Sequence, residues 1–311
     1  MKILNLVDLD KSNIKYQISK FPDSQQQVKI LSNVHKQEEI PGSKVFTNFG
    51  SRCLTRTIIE IIQIKSRLNN FQDLEKIICA TKSLRELGVK EIHLYTPYFL
   101  GSRSDRKFEE GSNNYLKDVI CPIINSLRFE SVTVLDPHSD VLEACLNNFK
   151  KVDNLSLVRF ATNNYQYENQ KKSGKPHEDF ILISPDAGAN KKIFKVAEQI
   201  GYKGDIITCS KSRDKQGKLS HTVVPITNID NFKKDIIIID DICDGGATFI
   251  NIAKEIKKDC KSTKIYLIIT HGIFSKGTTE LSHYFDGIYT TNSYRDINAL
   301  EGLLVKQLNV F

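Results

Sequence analysis

Ile236-Ile237-Ile238-Ile239-Asp240-Asp241-Ile242-Cys243-Asp244-Gly245-Gly246-Ala247-Thr248 is the stretch on which the fold turns. A β-branched run with no polar alternation reads as a strand buried on both faces, as in parallel sheets. It ends in paired carboxylates and passes through glycines into a helix predicted over Thr248–Ile256. Glycines let backbone amides converge on an anion, and the helix start adds its dipole and the Thr248 hydroxyl. Adjacent carboxylates beside such a cradle suit sugar hydroxyls or a magnesium ion. Taken alone the loop is a weak signal, and its bland reading is an acidic strand end with a glycine turn.

Outward from this stretch the same alternation continues. Strands are predicted at Phe180–Ile183, Asp205–Cys209, Asp235–Asp240 and Lys264–Thr270, with a helix over Lys191–Ile200. In the first half Leu74, Ile77, Ile78, Thr81, Leu84 and Leu87 share one helical face, Gly88 stops the helix, and Glu91–Tyr95 follows as a strand. Ser131–Leu135 is another strand. The turn Asp136-Pro137-His138-Ser139 comes after it, then a helix through Val141, Leu142, Cys145 and Leu146 with Ser139 as its cap. The polar, lysine-rich segment Asn163–His177 interrupts the pattern and is expected to be a surface loop, with a domain junction near Lys150–Asp153. Strands covered by helices in both halves make this an α/β chain.

The chain has 311 residues, 40% hydrophobic and 26% charged, a length that predicts two domains. Lys and Arg number 44 against 37 Asp and Glu, and the resulting +7 does not by itself choose between phosphorylated metabolites, nucleic acid and simple solubility. No apolar stretch approaches the ~18–20 residues of a membrane span, and Asp8, Asp10 and Lys11 come too early for a signal-peptide core, so a soluble cytoplasmic protein is expected. The seven cysteines are scattered and never spaced C-x-x-C, which encodes neither a zinc site nor a disulfide framework.

The stretch Ile236–Thr248 resembles the phosphoribosyl diphosphate-binding signature shared by type I phosphoribosyltransferases and ribose-phosphate diphosphokinases, and other motifs point to the diphosphokinases. Ser184-Pro185-Asp186-Ala187-Gly188-Ala189-Asn190-Lys191-Lys192 is similar to their S-P-D-A-G-G-A-K-R loop, and Asp136-Pro137-His138 to their D-L-H turn. Tyr98 through Arg106 resembles their P-Y-x-R-Q-D-R/K segment, Lys211-Ser212-Arg213 the K-x-R of their flexible loop, and Phe21-Pro22-Asp23-Ser24-Gln25 an F-x-D/N-x-E motif. Motifs in the family's order along most of the chain are far more specific than any one alone.

The resemblance implies two similar doubly wound domains of the type I phosphoribosyltransferase-like fold, mostly parallel sheets flanked by helices. The first would cover residues 1–150 on the ATP side and the second 151–295 on the ribose 5-phosphate side, with the tail 296–311 packing back on the first. It implies transfer of the β,γ-diphosphoryl group of magnesium-ATP to the C1 hydroxyl of ribose 5-phosphate. By the resemblance, Asp244, Gly245, Gly246, Ala247 and Thr248 hold the sugar phosphate, and Asp240 and Asp241 hold the ribose hydroxyls. His138 and Asp186 anchor Mg2+, while Arg103, Asp105 and His138 meet ATP. Phe21, Asp23 and Gln25 reach the nucleotide from another subunit of a homo-oligomer, dimer or hexamer, and Lys211 and Arg213 act at the reacting phosphate. Neither nucleic acid nor a membrane is an expected partner.

The chain also departs from the family pattern. The D-T-A/G-G-T loop is here Asp244-Gly245-Gly246-Ala247-Thr248, so one threonine hydroxyl is lost and a glycine has become alanine. Ala247 fits only where the backbone does not require a positive φ. Gln25 stands for Glu, Ser104 for Gln and Pro137 for Leu, and Phe99-Leu100-Gly101-Ser102 lengthens the arginine segment. The alternatives are a type I phosphoribosyltransferase, which leaves the first-half motifs without a role, and a non-catalytic regulatory relative of the synthetases.

Overall fold

A computed structural model describes residues 1–47, 50–173, 180–213, 219–225 and 234–311; the side chains of 36–40, 42–47, 50–59, 172–173, 211–213, 219–222, 259 and 303 lie outside the described set. The chain divides into a unit of Met1–Val152 that takes in Phe311, and a second unit of Asp153–Val310.

The first unit contains β1 (Lys2–Asn5), β2 (Tyr16–Lys20), β3 (Gln26–Ile30), β4 (His35–Thr47), β5 (Gly50–Ile59), β6 (Ile62–Lys65), α1 (Phe71–Glu86) and β7 (Ile92–Tyr95). A π-turn segment at Leu116–Ile120 then runs into α2 (Cys121–Ser126), followed by β8 (Ser131–Leu135), α3 (Val141–Cys145) and β9 (Phe149–Val152). Its main sheet has the order β1-β6-β7-β8-β9, parallel throughout, while β2–β3 and β4–β5 are separate antiparallel hairpins. Asn70 starts α1 by accepting the Asp73 N–H at 2.9 Å, and Gly88 leaves it at φ 86°, a conformation suited to glycine. Leu74, Ile77, Thr81 and Leu84 are buried as the periodicity predicts and Ala80 joins them, whereas Ile78 is only partly buried and Leu87 is the C-cap and 39% exposed. They share a core with Ile62, Ile64, Ile92, Leu94, Val132 and Val134 of the sheet.

The second unit contains α4 (Leu155–Ser173), β10 (Phe180–Ser184), α5 (Asn190–Gln199), β11 (Ile206–Thr208), β12 (Ser210–Arg213), β13 (Leu219–Val223), β14 (Asp235–Cys243) and α6 (Ala247–Asp259). After these come β15 (Ile265–Gly272), α7 (Thr279–Ser282), β16 (Gly287–Thr291) and β17 (Val305–Leu308). The sheet order is β11-β10-β14-β15-β16-β17, again parallel throughout, and β12 pairs with β13 as a hairpin.

The isoleucine run explains itself in this setting. Ile236 and Ile238 share a core with Phe249, Ile250, Ile252, Ala253 and Ile256 of α6, and Ile237 and Ile239 one with residues of α4 and α5. Helices cover both faces of β14 along Ile236–Ile239, which keeps these four positions apolar. This is a doubly wound α/β fold.

One expectation is overturned. Residues 163–173 of the expected loop Asn163–His177 continue helix α4, and residues 174–177 lie outside the described residues. Leu157, Val158, Ala161 and Tyr165 form the buried stripe, and the Tyr165 hydroxyl donates to Asp235 Oδ2 at 3.0 Å. Beyond Tyr165 the helix is mostly polar, and composition hides it. Among the described residues no helix is long and apolar enough to cross a membrane.

Candidate active site

Strand β14 runs further than predicted, through Cys243, so Asp240 and Asp241 sit inside its carboxyl-terminal end. Ladder pairing of Asp240 with Ile269 and of Ile242 with His271 holds this end straight against β15. Successive residues face opposite sides of the sheet, which sends the two carboxylates apart. The Asp241 N–H donates to Asp240 Oδ1 at 2.9 Å. Asp241 is buried, and Lys192 Nζ, at the start of α5, stands 2.7 Å from its Oδ2. Burial first, then the charge of Asp241, holds the Asp240 carboxyl well above the usual carboxylate range; Asp186 adds to the shift, and Lys192 opposes it.

Past Cys243 the chain turns at Gly246, the N-cap of α6, with φ 79°. The backbone there favours glycine, and a Cβ would lie 3.0 Å from Leu281 Cδ2, close enough that the leucine would have to shift. At Gly245 a Cβ would lie 3.4 Å from both Cδ and Cε of Lys276. The Cys243 carbonyl accepts the N–H groups of Ile273 and Phe274 at 2.9 and 3.1 Å, which ties the loop after β15 to the glycine turn. Burial pushes the Cys243 thiol up to about 12, so it is a neutral packing group here.

Asp186 follows β10 and caps a short turn at Ala187–Ala189, its Oδ1 accepting the Ala189 N–H at 3.0 Å. The Ser184 hydroxyl donates to the Asp186 carbonyl at 2.8 Å and steadies this corner. Among the described residues no group of three or more His, Cys, Asp and Glu side chains could hold a metal. The donor set still suits magnesium, a hard cation that keeps waters and phosphate oxygens and needs only one or two protein carboxylates. The field of Asp186 and Asp241 on Asp240, opposed by Lys192, is the surplus of negative charge that such a cation relieves. Lys211 and Arg213 lie on β12, where Lys211 pairs with Thr222 and Arg213 with Leu219; their side chains lie outside the described residues.

In the first unit, the segment Tyr98–Arg106 and the turn Asp136-Pro137-His138 leave neighbouring strand ends, with the Leu135 N–H donating to the Pro97 carbonyl at 3.1 Å. Asp136 is buried at φ 41° and donates its N–H to Val152 at 2.7 Å, leaving His138 exposed beyond the turn. Arg103 is exposed, and the Asp105 carbonyl accepts from Asn114 Nδ2 at 2.6 Å. Phe21, Asp23 and Gln25 form the tip of the β2–β3 hairpin, closed by the Phe21 N–H to the Gln25 carbonyl at 2.9 Å. Phe21 is 45% exposed there, not a core residue.

The structure thus gathers Asp186, Asp240 and Asp241 with Asp244–Thr248 at the carboxyl ends of the second sheet, and Arg103, Asp105 and His138 on segments leaving adjacent strands of the first. Lys192, to which the sequence reading gave no role, joins this group through its ion pair with Asp241. Its available signal was a lysine one turn into a helix that follows an acidic strand-end loop, facing an aspartate pair in need of a cation.

No family model matches the chain. Among curated proteins it is 29% identical over 227 residues to the ribose-phosphate pyrophosphokinase of Mycoplasmopsis pulmonis, spanning 72% of this chain and 65% of that protein. It is 25% identical over 284 residues to that of Thermococcus kodakarensis, spanning 90% and 86%, and 29% identical over 215 residues to that of Pyrococcus furiosus, spanning 68% and 70%. Among solved structures, phosphoribosylpyrophosphate synthetase from Mycobacterium smegmatis shares the fold at a TM-score of 0.72 and 16% identity, over 97% of this chain and 88% of that one. The chain is thus similar over most of its length to ribose-phosphate pyrophosphokinases, at under 30% identity.

The altered glycine turn has a simple account in this fold. The left-handed position is Gly246, and Ala247 is already the first helical residue of α6, so alanine there carries no backbone strain.

Proposed function

We propose that this chain is a ribose-phosphate diphosphokinase. The C1 hydroxyl of ribose 5-phosphate attacks the β-phosphorus of ATP, the bond from that phosphorus to the α-phosphate oxygen breaks, AMP departs, and the hydroxyl proton passes to solvent. Support comes from the curated relatives of that name and, in the chain itself, from Asp240 and Asp241 running directly into a helix start opened by Gly246. That single arrangement sets hydroxyl acceptors beside a phosphate cradle.

The amides of the Asp244–Thr248 turn and the Thr248 hydroxyl take the sugar 5-phosphate, aided by the α6 dipole. Asp240 and Asp241 accept hydrogen bonds from the ribose hydroxyls. Lys192 fixes the Asp241 carboxylate through its 2.7 Å pair, so the acceptor is oriented before the sugar arrives. Asp186 and His138 would hold magnesium, which when bound with ATP supplies positive charge to the phosphate oxygens. Arg103 and Asp105 meet ATP, and the exposed tip of Phe21, Asp23 and Gln25 serves the nucleotide of another copy in a homo-oligomer. Lys211 and Arg213 neutralise charge on the migrating group, where electrostatic stabilisation does most of the work.

Incubating the purified protein with magnesium-ATP and ribose 5-phosphate, and following AMP by chromatography, tests the reading. AMP must rise above a chelator-treated control; equality with that control overturns it.

A further inference from the structure

Lys276 lies in the loop between β15 and α7, a loop fixed to the phosphate turn itself. The N–H groups of Ile273 and Phe274 share the Cys243 carbonyl, one residue before Asp244, and the Gly277 N–H closes the loop on the Phe274 carbonyl at 2.8 Å. Phe274 is buried, with the Arg295 guanidinium 5.7 Å over its ring, and Arg295 is held by Glu301 at 2.6 Å. Lys276 therefore projects from a braced support. Its stem lies along Gly245, with Cγ, Cδ and Cε at 3.7, 3.4 and 3.4 Å from where a Cβ would stand. Among the described residues no carboxylate pairs with its ammonium, and the side chain is exposed.

One departure from the family pattern lies at this point. The loop that this chain's turn resembles carries a threonine where Gly245 stands. A Cβ at 245 would stand in van der Waals contact with the lysine stem, so a larger side chain there and the lysine compete for the same space.

We infer that Lys276 is a phosphate-binding residue of the sugar-phosphate site, its stem occupying the space Gly245 leaves open and its ammonium standing in for the missing hydroxyl. The inference rests on the proposed function for the identity of the ligand, a phosphate monoester on a pentose. A cation in place of a neutral hydroxyl makes phosphate capture stronger and more sensitive to salt.

The test uses the full chain and two readouts: steady-state AMP formation, and calorimetric titration of ribose 5-phosphate without ATP. Lys276→Ala should raise the KM for ribose 5-phosphate at least tenfold, leave the KM for ATP unchanged, and weaken the calorimetric Kd by a similar factor. Lys276→Arg should recover most of the loss, and wild-type affinity should fall more steeply with sodium chloride than that of Lys276→Ala. Gly245→Thr should also weaken binding, and in the Lys276→Ala background that penalty should shrink or reverse. An unchanged Kd in Lys276→Ala overturns the inference, as do strictly additive effects in the double variant. If Gly245→Thr does not fold, the alanine and arginine variants still decide. Absence of AMP from the wild type would overturn the proposed reaction alone, since the titrations still compare Lys276→Ala with wild type; absence of wild-type binding overturns both.

Discussion

The ammonium of Lys192 on α5 stands 2.7 Å from Oδ2 of Asp241 on β14, and it is a cation set directly against the acidic end of the central strand. The aspartate side chain is 7% exposed and the lysine 29%, so the pair is shielded on one side only. Lys192→Met leaves a buried carboxylate without this partner and should destabilise the fold by about 1–3 kcal/mol. Urea unfolding of Lys192→Met, Asp241→Asn and the double variant checks it: the double should be more stable than the sum of the singles predicts.

Asp240 gives a pH signature. Because the folded state binds its proton more tightly than the unfolded chain, its contribution is favourable at low pH and is lost as pH rises from the ordinary aspartate range through the elevated folded value. Asp240→Asn keeps an oxygen for the Asp241 N–H and removes the charge. It should flatten that part of the stability profile and raise the denaturation midpoint at neutral pH, while raising the KM for ribose 5-phosphate at least tenfold. A midpoint that falls would show that the carboxylate is held by interactions outweighing its burial.

Asp186 calls for a choice of substitution. Alanine would remove both the charge and the acceptor for the Ala189 N–H, costing about 1 kcal/mol of stability. Asparagine keeps the cap. Asp186→Asn should therefore melt like wild type yet need a markedly higher magnesium concentration for half-maximal AMP formation; an unchanged magnesium titration removes Asp186 from the metal site.

Lys211→Ala should lower kcat by several orders of magnitude with the circular dichroism spectrum unchanged, since the lost charge acts chiefly in the transition state. Near-normal turnover would exclude this lysine from the reaction.

Tyr165→Phe isolates the docking of α4. Loss of the hydrogen bond to Asp235 should cost about 1–2 kcal/mol in urea unfolding and leave the KM for both substrates unaltered.

What could be read before the fold was known followed from how each element is buried. β14 was legible because helices cover both its faces, which forces an unbroken apolar run. α1 was legible because a single face is buried and the 3.6 period survives. The far end of α4 was not, since beyond Tyr165 almost nothing but polar residues extends the stripe. The hairpin β2–β3 escaped for a related reason: of β2 only Tyr16 is even partly buried, and of β3 only Val28 is fully so. At the site, the acids and glycines were visible because their chemistry is local to one turn. Lys192 and Lys276 were not, because their significance lies in which distant residue they touch.

The placement of β14 also bears on how the chain reaches this structure. It is an interior strand of a wholly parallel sheet, flanked by β10 and β15, and neither neighbour can be reached by a tight turn. While such non-local pairing is incomplete, Ile236–Ile239 is the kind of uncharged β-branched window that joins other chains edge to edge. The charges bracketing it, Lys234 and Asp235 before, Asp240 and Asp241 after, are the residues that oppose such joining. The aspartates proposed for the ribose thus also lie where charge opposes edge-to-edge joining of the isoleucine run, before any sugar is bound.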